Sequence, residues 1–310
     1  MIAHKTLEKM LADLSLSSEQ LVRVVSRAPY SYKTYSIPKK NGGLRIISQP
    51  ARETKYVQHW LIHNVFHLLP IHEAASAYVK GASIKKNAEA HRTNEYMIKL
   101  DFKDFFPSIK IDDLIAHFQK SLPFLDLLEI RYIARLSCIN RGNGGALSIG
   151  SPASPILSNS IMYEFDSVVA DWASQNKFVY TRYADDLTFS TALPYASESV
   201  VPVIKDLLSS LKYPRLSLNV DKTIHLSKRG SRRITGLVIT NDDKVSLGRD
   251  RKREISALVH KYGLGLLEQK DVFRLQGLLG FAADVEPLFL SRLGKKYGMK
   301  TILNLLRKRQ

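Results

Sequence analysis

The chain has 310 residues, 45% of them hydrophobic, enough to bury a full core in one large domain or two joined subdomains. A formal net charge of +17 points first to a polyanionic partner, although a basic surface without a dedicated partner has the same composition. Cys138 is the only cysteine, which excludes an intramolecular disulfide and a cysteine-based zinc site and fits a reducing cytosol; no stretch reads as a membrane span or a secretory signal.

Residues 1–28 read as an N-terminal helical extension, in which Leu7, Met10, Leu11 and Leu14 share a face and Ser17 or Ser18 is placed to cap a second helix. From Tyr30 alternation takes over: residues 32–37, a turn through Lys39, Lys40, Asn41, Gly42 and Gly43, and residues 44–47 predict a basic β-hairpin. Residues 53–69 return to helical spacing through Val57, Trp60, Leu61, Val65 and Leu68, and stop at Pro70. Residues 96–100 read as a strand, 111–120 as a helix and 155–173 as one long helix; two strands then flank Ala184-Asp185-Asp186. Residues 202–211 are amphipathic and helical, 233–239 and 244–247 read as strands around a turn at Asn241-Asp242-Asp243, and basic helices follow from Arg249. Antiparallel strands with helices on one face give the α+β class, with divisions at 1–28, 29–245 and 246–310.

Asp101 follows the apolar run at 96–100, where a sheet holds a carboxylate firmly. Further on, Phe178-Val179-Tyr180-Thr181-Arg182-Tyr183 leads into Ala184-Asp185-Asp186, and Leu187-Thr188-Phe189-Ser190 continues the alternation, so adjacent acids stand at the turn of a hairpin. Neighbouring aspartates that lose hydration stay ionised only when cations or strong donors compensate them. Magnesium takes oxygen ligands and keeps sites for water and phosphate, which suits a small carboxylate set; manganese is the alternative. Two such ions activate an attacking hydroxyl and stabilise a leaving pyrophosphate, so the pattern points to phosphoryl transfer. A lone Asp-Asp pair is most often a solvated turn, and Asp242-Asp243, without aromatic flanks, is read as one. His59, His63 and His67 recur every fourth residue on one helical face, but no supporting carboxylate motif accompanies them and zinc is not expected there.

Tyr183-Ala184-Asp185-Asp186 resembles the YxDD box of reverse transcriptases, and Asp101 with residues 102–106 resembles their first catalytic motif. Gly150-Ser151-Pro152-Ala153-Ser154-Pro155 resembles the loop and helix start beneath the templating base. Leu218-Asn219-Val220-Asp221-Lys222-Thr223 resembles the motif whose lysine is proposed to protonate pyrophosphate. More narrowly, the chain is similar to bacterial retron reverse transcriptases: Asn87-Ala88-Glu89-Ala90-His91 matches their NAxxH signature, and Ile234-Thr235-Gly236 stands where they carry VTG. The resemblance runs from Tyr30 to Gly298. It departs at Ile149, where many reverse transcriptases have glutamine, and conservatively at Ile234.

The resemblance implies a right-hand polymerase, with fingers and palm over 29–245 and a basic helical thumb over 246–310. It implies that Asp101, Asp185 and Asp186 hold two magnesium ions, that Phe102 adds its backbone carbonyl, and that Lys222 acts as general acid. Arg45 is expected at the nucleoside triphosphate, Phe106 against a ribose 2′-hydroxyl, and Gly150 and Ser151 around the nucleotide. Asn87, His91, Thr235 and Gly236 are expected to recognise RNA, while Arg249, Arg251, Lys252, Arg253 and the basic runs 228–233 and 307–309 grip phosphates. Bland readings stand beside several of these: core packing for Phe106, a solvated strand arginine for Arg45, a structural salt bridge for Lys222, a cap or turn for Asn87.

The implied activity is RNA-directed DNA synthesis from deoxynucleoside triphosphates in a prokaryotic cytoplasm. A cognate noncoding RNA would prime from a 2′-hydroxyl and be copied in part into branched multicopy single-stranded DNA, in antiphage defence alongside a toxin or effector protein. The alternatives are another bacterial reverse transcriptase, of group II intron or diversity-generating type, and a catalytically silent RNA-binding scaffold.

Overall fold

The computed structural model describes residues 4–39, 42–142 and 144–307. Lys40 and Asn41 of the expected hairpin turn, and Lys308 and Arg309 of the last basic run, lie outside the described residues. The first elements are α1 (Lys5–Leu14), α2 (Ser18–Arg27), β1 (Tyr32–Pro38), β2 (Leu44–Pro50), α3 (Arg52–Asn64), α4 (Ile84–Ala90) and β3 (Tyr96–Asp101). After them come α5 (Phe105–Ser108), α6 (Ile111–Ser121), α7 (Leu127–Ser137), β4 (Ile139–Asn140), β5 (Gly145–Ala146), α8 (Ser154–Ile161) and α9 (Tyr163–Gln175). The chain continues through β6 (Val179–Tyr183), β7 (Asp186–Thr191), α10 (Val200–Ser210), β8 (Ile224–Ser227), β9 (Arg232–Ile234), β10 (Leu237–Ile239) and β11 (Val245–Ser246). The last helices are α11 (Arg249–Gly263), α12 (Gln269–Val285), α13 (Pro287–Tyr297) and α14 (Met299–Arg307). One compact unit comprises Met1–Ala82, Ile98–Phe189 and Tyr195–Ile224; the other comprises Ser83–Met97, Ser190–Pro194 and His225–Gln310.

In the first unit, α1 and α2 sink Leu7, Met10, Leu21, Val24 and Val25 into a core shared with Leu61, Phe66 and Phe118. Ser17 is the cap of α2: its Oγ accepts from the Gln20 N–H at 3.2 Å, and Gln20 Oε1 accepts from the Ser17 N–H at 2.7 Å. β1 and β2 pair antiparallel, Tyr32 opposite Pro50 and Pro38 opposite Leu44. The strands of this unit that carry the acids run in the order β6-β7-β3. Behind it Tyr180 stacks on Phe189 at 4.8 Å between ring centroids, and Trp172 of α9 stacks on Phe178 at 5.4 Å, which seats β6 and β7 on the core.

Where 155–173 reads as one helix, there are two, broken at buried Met162 with φ −83° and ψ 0°. Polar side chains just before the break make tertiary bonds that hydrophobic periodicity does not register: Asn159 Nδ2 donates to the Ala77 carbonyl at 2.7 Å, and Ser160 Oγ pairs with His117 Nε2 at 2.7 Å. α7 was not expected, although Asp126 and Glu129 form a capping box at its start.

In the second unit, the strand expected over 233–239 is a hairpin instead. Ile234 pairs with Leu237, and the chain reverses at Thr235 and Gly236 with φ of +47° and +84°. Alternation of apolar residues runs through such a tight turn without a gap, so the pattern alone hides it. The three-stranded sheet β11-β10-β9 packs Ile234, Leu237 and Ile239 against Ile255, Leu275 and Leu279 of α11 and α12. Arg232, wholly buried, ties this sheet to the loop before β3: its guanidinium donates to the carbonyls of Arg92, Asn94 and Thr240. Among the described residues no helix is long and apolar enough to cross a membrane.

Candidate active site

Asp101 ends β3 behind buried Ile98 and Leu100, and is itself 8% exposed. The chain beyond it is fixed on both sides. The Asp101 carbonyl accepts from the Asn219 N–H at 2.7 Å, the Phe102 N–H donates to the Asp185 carbonyl at 3.0 Å, and the Lys103 N–H donates to the Ser217 carbonyl at 2.9 Å. The Phe102 ring stacks on Phe105 and meets the edge of Phe165. The main chain of Phe102 therefore lies directly beside the hairpin turn that carries the adjacent acids.

That turn joins β6 to β7 through Ala184, which holds φ at +57°, a region ordinarily reserved for glycine and costing an alanine on the order of 1 kcal/mol. Burial pushes the Asp185 carboxyl above its usual range, and the charges of Asp186 and Asp101 add to the rise. Burial likewise raises Asp186, with Lys99 opposing and Asp101 adding to the rise. Each acid at the turn thus feels Asp101, which places three carboxylates within one electrostatic field.

Asp242 is the contrast: a hydrogen bond from Lys244 at 2.7 Å pulls its carboxyl down to about 2, and Asp243 is paired with Lys228. One acid pair is stabilised as anions by its neighbours; at the other, burial and the neighbouring acids outweigh the opposing charges of Lys99 and Lys222. Hard oxygen donors in surplus negative charge fit divalent magnesium or manganese, with the Phe102 carbonyl as an adjacent neutral donor. Among the described residues, no three His, Cys, Asp or Glu side chains are drawn up as a ready coordination shell. Lys222 Nζ donates to Asp101 Oδ1 at 2.6 Å, and that bond is the first cause of the raised ammonium pKa.

Beside the turn, a cavity of about 360 Å³ is lined by Phe106, Gly150, Ser151, Tyr78, Ile149 and His59, among others. The Tyr78 hydroxyl is pushed up by burial and then by Asp185, with Arg45 pulling the other way, so the cavity lies within reach of both. Arg45 is exposed on β2, opposite Ile37. Gly150 holds φ at +109°, and a Cβ there would come within 2.9 Å of Ile47 Cγ2 and 3.1 Å of the Ser48 carbonyl. Ser151 Oγ is spent inward, donating to Gln58 Oε1 at 2.8 Å. His59, His63 and His67 are all exposed on or just beyond α3.

The expected RNA residues belong to the second unit. Asn87 and His91 are 2% and 0% exposed; burial drives the His91 imidazole down to about 3, so it is neutral, and Nδ1 pairs with Ser190 Oγ at 2.7 Å. Their side chains do not reach the surface. Thr235 Oγ1 donates to the Ile84 carbonyl at the start of α4, and Arg251 Nη2 lies 4.0 Å from where a Gly236 Cβ would be. The two signatures thus meet: the turn at 235–236 abuts α4 and α11. Arg249 and Arg253 are exposed, Arg251 lies over the Phe281 ring, and Lys252 is engaged by Glu286 at 2.6 Å.

Sequence reasoning missed Arg182 and Asp166, a wholly buried ion pair under the turn. The available signal was parity, since Arg182 shares its strand face with the core residues Phe178 and Tyr180. It also missed Lys99, two residues before Asp101 on the same face, whose charge acts on Asp186.

Residues 37–245 match the family described as reverse transcriptase (RNA-dependent DNA polymerase). The retron Ec83 reverse transcriptase of Escherichia coli is 38% identical over 97% of this chain and 96% of its own length. The retron Ec73 reverse transcriptase of the same species is 33% identical over 94% and 95% respectively. Among solved structures, telomerase from Candida albicans aligns with 99% of this chain and 65% of its own, at 13% identity and a TM-score of 0.51, a likeness of fold alone. Matched from end to end by retron enzymes and through its acid-bearing sheet by the polymerase family at large, the chain belongs to the retron reverse transcriptases and is an RNA-directed DNA polymerase.

Proposed function

We propose that this polymerase copies part of one cognate noncoding RNA into DNA using two divalent ions held by Asp101, Asp185, Asp186 and the Phe102 carbonyl. Reverse transcriptases as a family use divalent metal ions. The observation that carries the assignment to these residues is the hydrogen bond from the Phe102 N–H to the Asp185 carbonyl, 3.0 Å, which sets the main chain just after Asp101 against the turn bearing Asp185 and Asp186; the charge of Asp101 adds to the raised pKa of both. Bound ions would activate the primer hydroxyl and neutralise pyrophosphate. Lys222, already on Asp101 Oδ1, would turn to the leaving pyrophosphate and give it a proton. Arg45 would meet the triphosphate with its planar fork, and Phe106 would exclude a 2′-hydroxyl from the cavity that Gly150 and Ser151 bound.

The buried positions of Asn87 and His91 favour an indirect part in RNA recognition, in which they hold α4 and its loop while Thr235, Gly236 and the exposed Arg249 and Arg253 form the contact surface. Fingers and palm over 29–245 and a thumb over 246–310 are the division we assign. Kinship with retron enzymes supports extending this reading to priming from a 2′-hydroxyl, a branched RNA–DNA product, a cytoplasmic site and an effector protein in antiphage defence.

The decisive measurement is deoxynucleotide incorporation on co-purified RNA by the wild type and by Asp185→Asn. The variant should lose all detectable incorporation while retaining RNA; equal incorporation by both would sink the proposal.

A further inference from the structure

The Arg182 guanidinium and the Asp166 carboxylate are both completely buried in the first unit, and the chemistry above uses neither. A buried ion pair calls for a reason, since apolar residues of the same volume commonly serve stability as well. This pair is saturated with partners. Arg182 Nε and Nη2 reach the two Asp166 oxygens at 2.9 and 2.6 Å, the Tyr180 hydroxyl donates to Asp166 Oδ1 at 2.7 Å, and Arg182 Nη1 donates to Asn159 Oδ1 at 3.2 Å.

One further contact leaves the cluster. Arg182 Nη1 donates to the carbonyl of Ala184, at 3.2 Å, and Ala184 is the strained residue immediately before Asp185. The Arg182 main chain is gripped as well: its N–H donates to the Ala74 carbonyl at 2.8 Å, and its carbonyl accepts from the Ser76 N–H at 2.8 Å and the Ser76 hydroxyl at 3.0 Å. The Ala184 carbonyl is therefore held from the core side by the same guanidinium that is bound to Asp166.

We propose that Arg182 and Asp166 are positioning residues, a buried latch that holds Ala184 in its left-handed conformation and so presets Asp185 and Asp186 for divalent ions. This inference rests on the two-ion reading. Arg182→Lys tests it, because a compact ammonium keeps the charge beside Asp166 but cannot span both the carboxylate and the Ala184 carbonyl. The variant should retain wild-type circular dichroism and RNA affinity. Its Mn²⁺ binding, read without nucleotide from the free-ion electron paramagnetic resonance signal, should weaken by about tenfold or more, as for other residues that orient ligands.

Adding Ala184→Gly should recover part of that loss, since glycine takes positive φ freely. Asp185→Asn separates the two claims. Synthesis surviving in Asp185→Asn overturns the two-ion reading, whereas its loss there together with wild-type Mn²⁺ binding by Arg182→Lys overturns the latch alone. Should Arg182→Lys not fold, the combination of Tyr180→Phe, Asp166→Leu and Arg182→Met removes both buried charges at once, and wild-type Mn²⁺ binding by that protein overturns the latch equally.

Discussion

Asp185 and Asp186 carry pKa values raised above 3.8, and the sign of that shift decides how the metal-free protein responds to pH. A carboxyl raised in the folded state holds its proton longer than in the unfolded chain, so ionisation above pH 3.8 costs stability until the folded pKa is passed. The expected outcome is that Mn²⁺ or Mg²⁺ raises the melting temperature near neutral pH, and that this gain fades as pH falls into the window where protons occupy the same oxygens; a gain independent of pH would contradict it. Gly150→Ala forces a side chain onto Ile47 and the Ser48 carbonyl at a positive φ, which should cost about 1–3 kcal/mol in urea denaturation and raise KM for deoxynucleotides. Phe106→Ala should open the cavity beside the turn, and the preference for deoxy- over ribonucleotides, measured as a ratio of kcat/KM, should fall by roughly tenfold or more.

At the scale of elements, α7 illustrates a stabilising device that lies in plain sequence. Asp126 Oδ1 accepts from the N–H groups of Leu128 and Glu129 at 2.8 and 3.0 Å, while its other oxygen meets His4 before α1. Asp126→Ala strips the cap and the tie together, and an equilibrium unfolding experiment should register a loss of about 1–2 kcal/mol with polymerase activity intact below the transition. The elements legible beforehand were those whose signal is local. The β1–β2 hairpin declared itself by alternation around glycines, and β6–β7 by apolar runs on either side of the acids. What stayed hidden depended on distant partners: the break at Met162 rests on Ser160 meeting His117 and Asn159 meeting Ala77, and the turn at Thr235 sits against Ile84. The carboxylates could be named from spacing and resemblance; strand parity marks Arg182 as inward-facing, but its pairing with Asp166, like the burial of Asn87 and His91, is a consequence of packing that no linear pattern encodes.

Over the whole molecule, 46 Lys and Arg stand against 29 Asp and Glu, and the pairing of charges determines which of them remain for RNA. Lys252 is committed to Glu286 and Arg232 to backbone carbonyls, so neither adds much to phosphate binding. Arg249 and Arg253 are exposed on α11 and, among the described residues, have none of these internal commitments. Affinity for the cognate RNA should therefore fall steeply with salt, by about a thousandfold or more between roughly 50 and 200 mM if six or more phosphates are held. Replacing Arg249 and Arg253 by glutamine should lower the magnitude of the log–log salt slope by about one per residue, whereas Lys252→Gln should leave the slope nearly unchanged and act on stability instead. Binding isotherms across a salt series separate the two classes, and a slope insensitive to Arg249 and Arg253 would remove α11 from the phosphate-binding surface.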